Sequence, residues 1–281
     1  MFEDRINRYR NIVNAKIEDV LSQFSNKNCK FVPSAIRYSL LGGGKLLRPV
    51  LTLAVCEMFG GDVQKAVFFA CAVEFIHVGS LIHDDLPCMD DDSIRRGRPC
   101  CHIKFNEAVA VLAGDSLFCG AFEILTYSKR NGLSDKEIVE AVEVLSRMFG
   151  VCGVIGGQDM DIFSVNSMQS EVLIKNVATY KTCSLIRAAC ILGAIAAKAD
   201  KSNIDVIDEY ANFLGLAFQI CDDILDFKKE KDSINFLSVY SVKEAKEKAK
   251  KYTNLAVNRL KTLSGSEFLI ELTNKLLVRE R

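Results

Sequence analysis

Apolar side chains recur at helical spacing along almost the whole chain. The stripes near its two ends are the clearest, and their members are Ile6, Tyr9, Val13, Ile17, Val20 and Phe24, then Ala245, Ala249, Tyr252, Ala256, Leu260 and Leu263. Steps of three or four residues predict amphipathic helices, whereas the alternation typical of strands is scarce. Glycine-containing breaks fall at 42–44, 60–61, 131–132 and 156–157. We therefore expect an all-α fold of about ten helices, one domain over residues 1–281, packed around a cavity.

The longest apolar stretch, residues 66–82, carries Glu74 and His77 in its interior. These polar residues favour a central buried helix over a transmembrane segment. The N-terminus shows no signal or transit peptide pattern. Eleven cysteines without a CxxC pair are typical of reduced thiols. Together these features predict a soluble, cytoplasmic protein.

The charges balance, with 36 Lys plus Arg and 36 Asp plus Glu in 281 residues. Proteins that bind nucleic acid usually carry a basic excess, so this class is not favoured. Recognition of an anion must therefore depend on local clusters of charge.

Two aspartate clusters lie in strongly apolar surroundings. Residues 83–92 read HDDLPCMDDD at the end of the most apolar helix, and residues 218–226 read FQICDDILD inside another. Asp222 and Asp226 share a helix face, while Pro87 predicts a bulge in the chain before Asp90. Two carboxylates about 4 Å apart repel by about 4 kcal/mol at an effective dielectric of about 20, so such density indicates a bound cation. Oxygen ligands of this kind suit Mg²⁺ together with substrate phosphates.

Basic residues accompany both clusters. Lys45 and Arg48 follow the glycine triplet at 42–44, where the backbone can approach an anion closely and arginine can bind it with two nitrogens. His77 lies two helical turns before the first cluster, and Lys181 interrupts an apolar helix. The lysine-rich run at 243–251 has the pattern of a solvated helix face. The chain thus offers two kinds of anion site, one using metal and one using bare cations.

Five blocks of sequence, in order, resemble the trans-prenyl diphosphate synthases of the bacterial and plastid type, which make farnesyl or geranylgeranyl diphosphate. They read GGGKLLRP, VEFIHVGSLIHDDLPCMDDDSIRRGRP, GGQDMD, YKT and GLAFQICDDILD. The resemblance implies an all-helical isoprenoid synthase bundle, usually a homodimer, with about three Mg²⁺ ions. The implied reaction joins isopentenyl diphosphate to an allylic diphosphate (dimethylallyl, geranyl or farnesyl).

The resemblance also implies roles for individual residues. Asp84, Asp90 and Asp222 would bind the metal ions, and Asp85 and Asp226 would act through bound water or neighbouring groups. Arg95 and Lys181 would hold the allylic diphosphate. Isopentenyl diphosphate would be bound without metal by Lys45, Arg48, His77 and Arg96. Thr182 and Gln219 would place oxygen dipoles near the developing carbocation.

The residues after Asp226 depart from the family pattern. Family members have a longer loop there with a Gly-Lys pair, whereas residues 227–236 of this chain read FKKEKDSINF. One lysine expected to bind diphosphate has no clear counterpart, and Lys228, Lys229 or Lys231 is a candidate replacement. This departure concerns closure over the substrate and turnover, not the core chemistry.

Two other functions fit the same fold. A terpene cyclase would replace the second aspartate motif with a mixed Asn/Asp, Ser/Thr and Glu triad, and here that motif is intact. A regulatory subunit without activity of its own would tend to lose the acidic clusters, and this chain keeps both. An active synthase is therefore the preferred interpretation.

Product length depends on the residues below the first cluster. Ser80 and Gly79 lie four and five positions before Asp84, roughly 5–7 Å along the helix axis. Because both are small, we expect the growing tail to pass, with Phe118 and Cys119 as candidates for a deeper wall. This favours the twenty-carbon geranylgeranyl product, with the fifteen-carbon farnesyl product as the alternative.

Overall fold

The computed structural model describes residues 2–24, 28–164, 170–226 and 234–277. Over these residues the fold is almost entirely helical, as the periodicity predicted. The α-helices are α1 Phe2–Gln23, α2 Phe31–Leu40, α3 Leu47–Met58, α4 Val63–Asp84, α5 Cys101–Lys104, α6 Glu107–Tyr127, α7 Asp135–Phe149, α8 Val154–Ser164, α9 Glu171–Val177, α10 Ser184–Ala196, α11 Lys201–Asp226, α12 Val242–Leu260 and α13 Glu267–Leu277. The strands β1 Ile94–Arg95 and β2 Arg98–Pro99 form a short antiparallel hairpin. The segment 227–233, with Lys228, Lys229 and Lys231, lies outside the described residues.

Helices α4 and α10 form the centre of the bundle. Helix α4 packs against α3, α6 and α10, and α10 also packs against α3, α7 and α11. Asp62 caps α4, because its side chain accepts a hydrogen bond from the backbone N–H of Gln64. Nearly every residue of α10 is buried. The two helices therefore provide a rigid apolar support for the polar groups at their ends.

Both terminal stripes form helices as predicted. In α1 the residues from Ile6 to Val20 in that stripe are buried, and in α12 the buried set includes Ala245 and Leu260. Residues 243 and 246 of the lysine-rich run are exposed on α12. All eleven cysteines are free thiols.

One expected break is wrong. Gly156 and Gly157 lie inside α8 and do not end a helix. Gly157 is needed for close packing, because a Cβ at this position would lie 2.2 Å from the backbone nitrogen of Lys181. Periodicity along one segment cannot reveal such an approach between two segments.

Among the residues that the structure describes, two helices are long and apolar enough to cross a membrane by length and composition. Val63–Asp84 is mostly buried, with 78% of the relevant window inside the protein, whereas only 44% of the window in Glu107–Asn131 is buried. The first is the core helix expected from the sequence. The second leaves Val111 and Leu112 exposed on α6, at 40% and 53% of their surface.

Candidate active site

The first acidic cluster begins where α4 ends. The helix stops at Asp84, and the backbone N–H of Asp90 donates to the carbonyl oxygen of Asp84 at 2.9 Å, so the chain between them forms the bulge predicted from Pro87. Burial raises the pKa of Asp84 to about 6, and it also raises the pKa of Asp90. A carboxylate that is costly to ionise in the free protein is suited to a site completed by a cation.

Asp85 has a different environment from its neighbours. Its side chain is only 3% exposed and accepts a hydrogen bond from Arg95 Nε at 2.5 Å. Arg95 also donates to Asp92 at 3.1 Å. Asp85 thus binds Arg95 at the end of β1. The Asp85 side chain does not line the cavity to which Asp90 belongs. The role that the resemblance implies for Asp85, through bound water or neighbouring groups, remains a prediction.

Lys181 faces the first cluster from a π-helix at Ala178–Cys183, between α9 and α10. Its ammonium group pairs with the carboxylate of Asp161 on α8. Burial opposes the charge on Lys181, but the surrounding carboxylates, first Asp161, outweigh this effect and raise its pKa. Asp161 was not among the residues predicted for the site. Its position in the block GGQDMD, which carries the resemblance, was the signal for it.

Thr182 and Gln219 are joined by a hydrogen bond. The Thr182 hydroxyl donates to Gln219 Oε1 at 2.6 Å, and Gln219 Nε2 donates to Asp223 Oδ1 at 2.7 Å. Asp223 Oδ2 accepts the backbone N–H of Phe236 at 2.8 Å. Asp223 is therefore a member of the site that the sequence did not single out.

These groups surround what we call the acidic cavity, of about 410 Å³. Its lining includes Asp90, Asp92, Asp161, Lys181, Thr182, Gln219, Asp223 and Asn235. Within the described residues, no group of three or more acidic, His or Cys side chains forms a ready metal site. The donor set still fits Mg²⁺, which commonly takes one or two carboxylates and completes its shell with water and phosphate oxygens.

A second cavity, of about 530 Å³, is lined by the neighbouring residues Phe218 and Asp222 of α11, and we call it the basic cavity. Its polar lining comprises Arg10, Lys45, Arg48, Glu74, His77, Arg96 and Asp222. Asp222 thus lines this cavity, while Asp226 is the partly exposed last residue of α11. The metal-binding role expected for both remains a prediction.

Arg48 is the central cation of the basic cavity. Its Nη1 lies 3.3 Å from His77 Nε2, and its Nε is buried without a hydrogen-bond partner in the part of the chain described. Burial lowers the pKa of His77 well below its usual range, so the ring is neutral and its Nε2 can accept from Arg48. Burial likewise raises the pKa of Glu74, which is 2% exposed. A buried guanidinium with one N–H group left over is suited to binding an anion, because arginine can donate to it with two nitrogens.

The glycine triplet allows Arg96 to enter the basic cavity. Gly44 has φ +143°, and a Cβ there would lie 2.6 Å from Arg96 Nη1. The guanidinium of Arg96 also donates to the carbonyl oxygen of Gly43. The predicted close approach at these glycines is thus made by an arginine side chain of the protein itself.

The open path expected beside Gly79 is absent. Gly79 is buried, and a Cβ there would lie 2.6 Å from the ring of Phe118 on α6. Phe118 packs against Phe149, with ring centroids 4.6 Å apart. Ser80 donates its hydroxyl to the carbonyl oxygen of His77 at 2.9 Å. The expectation was wrong because a large residue on a neighbouring helix fills the space that the small residue leaves.

Comparison with known proteins agrees with this geometry. The family model described as "Polyprenyl synthetase" matches residues 29–236. The chain is 44% identical over 198 residues to Geranylgeranyl pyrophosphate synthase 11, chloroplastic, of Arabidopsis thaliana. This match covers 69% of this chain and 56% of that protein. The chain is 37% identical over 268 residues to Heterodimeric geranylgeranyl pyrophosphate synthase large subunit 1, chloroplastic, of the same plant, covering 89% and 72%. The match with the first of these relatives thus spans little more than half of that protein's length.

Solved structures extend the similarity to nearly the full chain. An FPP/GFPP synthase from Zymomonas mobilis in its apo form superposes with a TM-score of 0.90 at 31% identity, covering 99% of this chain and 100% of that one. A geranyltransferase from Legionella pneumophila gives a TM-score of 0.92 at 31% identity, covering 99% and 96%. The fold, the order of the motifs and these matches together show that the chain belongs to the polyprenyl synthetase family.

Proposed function

We propose that this protein is a magnesium-dependent trans-prenyltransferase, which joins isopentenyl diphosphate to an allylic diphosphate. The observation that carries the proposal is the pair of differently charged anion sites, which are lined by adjacent residues of α11. The acidic cavity combines carboxylates with Lys181, whereas the basic cavity holds Arg48 with a buried, unpartnered Nε. Two diphosphates bound in different ways require two such sites.

The chain would hold the allylic diphosphate by its charged end between the two aspartate clusters. Asp84, Asp90, Asp222 and Asp226 would bind the Mg²⁺ ions, which supply positive charge that stabilises the departing pyrophosphate. Lys181 would contact the same diphosphate. Its pairing with Asp161 keeps the ammonium group charged and positioned before substrate arrives.

The carbon–oxygen bond of the allylic substrate breaks and leaves a carbocation. The Thr182 hydroxyl oxygen and the Gln219 amide oxygen provide partial negative charge beside it. Apolar residues lining the same cavity, such as Ile174 and Val177, help to exclude water that would quench the cation. The double bond of isopentenyl diphosphate, held by Lys45, Arg48, His77 and Arg96, then attacks. One proton leaves to form the new trans double bond, and the released pyrophosphate is its acceptor.

Geranylgeranyl diphosphate is the product we favour, and the support now comes from the relatives named above rather than from Gly79. In this chain Phe118, which packs against Phe149, occupies the space that a side chain on residue 79 would enter. The length of the tail that can be accommodated thus depends on this aromatic pair.

A second copy of the chain is the partner that we propose for the exposed face of α6. Val111 and Leu112 are both apolar and uncovered there. Leu112→Glu should convert a dimer to a monomer in sedimentation equilibrium, whereas Val172→Glu, at a residue 69% exposed on α9, should leave the dimer intact. A monomeric wild type would contradict this assignment.

The activity itself is tested with purified protein, labelled isopentenyl diphosphate and each allylic diphosphate in turn. Products are resolved by chain length, and omission of the allylic substrate and chelation of Mg²⁺ serve as controls. We expect elongation only in the complete mixture. If none of the three allylic substrates is elongated, the proposal is contradicted and a regulatory subunit is favoured.

A further inference from the structure

Asp223 accepts two well-defined hydrogen bonds that a metal ligand would not require. It is 9% exposed and lies one helical turn after Gln219 on α11. One carboxylate oxygen accepts from Gln219 Nε2 at 2.7 Å and the other from the Phe236 N–H at 2.8 Å. Through Gln219, the carboxylate is connected to the hydroxyl of Thr182.

The chemistry of these groups fixes the direction of every hydrogen bond. An ionised carboxylate can only accept, so Gln219 must turn its NH₂ group towards Asp223. The amide oxygen then faces Thr182, and a carbonyl oxygen can only accept. The single hydroxyl proton of Thr182 is therefore donated to Gln219. The lone pairs of the Thr182 oxygen then face the cavity.

We propose that Asp223 is a positioning residue that sets the polarity of Thr182 through Gln219. The inference rests on the proposed function, because that polarity matters only if positive charge develops in the cavity. With the amide reversed, Gln219 would donate to Thr182, and the hydroxyl proton would be free to point at the cation. Asp223 thus acts on the reaction without contacting the reacting atoms.

The hydrogen bond from Phe236 connects Asp223, and through it the orientation of Gln219, to the backbone that follows α11. The N–H of Phe236 occupies the second oxygen of Asp223, at a buried position thirteen residues along the chain. With Phe236 on Oδ2, the other oxygen, Oδ1, is the one that accepts from Gln219 Nε2. The docked position of Phe236 therefore helps to orient Oδ1 towards Gln219.

Asp223→Asn tests the proposal, because asparagine keeps the shape but can donate as well as accept. We expect kcat to fall about 10- to 100-fold, comparable to or below the loss of one preorganised donor, with both KM values and the Mg²⁺ requirement within about twofold of wild type. The matched variant is Asp222→Asn on the neighbouring residue, which should raise the Mg²⁺ concentration needed for half-maximal rate. An equal shift in Mg²⁺ requirement for Asp223→Asn would make Asp223 a metal ligand and overturn the inference.

A double-mutant cycle with Thr182→Val separates positioning from general damage. Valine removes the hydroxyl, so adding Asp223→Asn to it should reduce kcat no further. Thr182→Ser restores a hydroxyl, and kcat should again be sensitive to Asp223→Asn. Additive losses in the valine background would contradict the inference.

A measurement without turnover keeps this test independent of the proposed activity. In ¹⁵N-labelled protein, one side-chain amide proton of Gln219 should be protected from exchange and shifted by its bond to the carboxylate. Asp223→Asn should remove the shift, and Thr182→Val should preserve it. A Gln219 amide signal unchanged by Asp223→Asn would refute the positioning role whether or not the protein transfers prenyl groups.

Discussion

Asp84→Asn should stabilise the metal-free protein and also abolish most of its turnover. The pKa of Asp84 lies at about 6 in the folded chain, against an ordinary value of 3.8, because burial opposes its charge. At about 1.4 kcal/mol for each tenfold change, this difference corresponds to at most about 3 kcal/mol. The isosteric amide carries no such cost.

The stability difference between wild type and Asp84→Asn should depend on pH. The folded state binds the Asp84 proton more tightly than the unfolded state, so the contribution to stability is present at low pH and is lost as pH rises through about 6. Wild type and Asp84→Asn should therefore unfold at similar temperatures near pH 4. Near pH 8 the variant should melt higher by about 6 °C, at about 2 °C for each kcal/mol.

Bound Mg²⁺ and pyrophosphate should reverse the order of the two melting temperatures. In Mg²⁺ and pyrophosphate at about 100 times the dissociation constant, wild type gains about 2.7 kcal/mol, whereas a variant lacking a metal ligand gains less. Turnover of the variant should fall by at least about 100-fold. Asp91→Asn removes the same charge from an exposed position in the same turn and serves as the control. Equal melting temperatures of Asp84→Asn and wild type at pH 8, or near-normal turnover, would refute the reasoning.

Three further substitutions test other parts of the site. Arg48→Ala should raise the KM for isopentenyl diphosphate at least tenfold and leave the allylic KM nearly unchanged in steady-state kinetics; equal effects on both would refute two separate sites. Asp161→Asn should weaken allylic binding about tenfold by loosening Lys181, seen in titrations with a non-reactive allylic analogue; unchanged affinity would mean that Lys181 holds its position alone. Phe118→Ala should lengthen the longest product by at least one five-carbon unit in chromatography of the products, and an unchanged product would place the floor elsewhere.

The sequence predicted those features that depend on one segment at a time. The stripes of α1 and α12 and the end of α4 near Pro87 follow from spacing within one segment. The meeting of Arg48 and His77 joins two helices and was implied by the quoted motifs. The features that it did not predict are contacts between segments: Phe118 beside Gly79, Asp161 on Lys181, Arg95 on Asp85, and the approach of Gly157 to the Lys181 backbone. Composition and periodicity do not specify which side chain of a distant helix fills a given space.

The π-helix at Ala178–Cys183 has a consequence for how this site could be lost. A π turn is equivalent to an α-helix that contains one additional residue. Deleting one residue from this segment would restore a regular helix, with α9 and α10 unchanged in their own registers. Each residue of an α-helix advances by about 100°, so Lys181 or Thr182 would turn away from the cavity while the apolar face of α10 kept its packing. We therefore expect a one-residue deletion in this segment to leave a folded protein in which the proposed activity is lost.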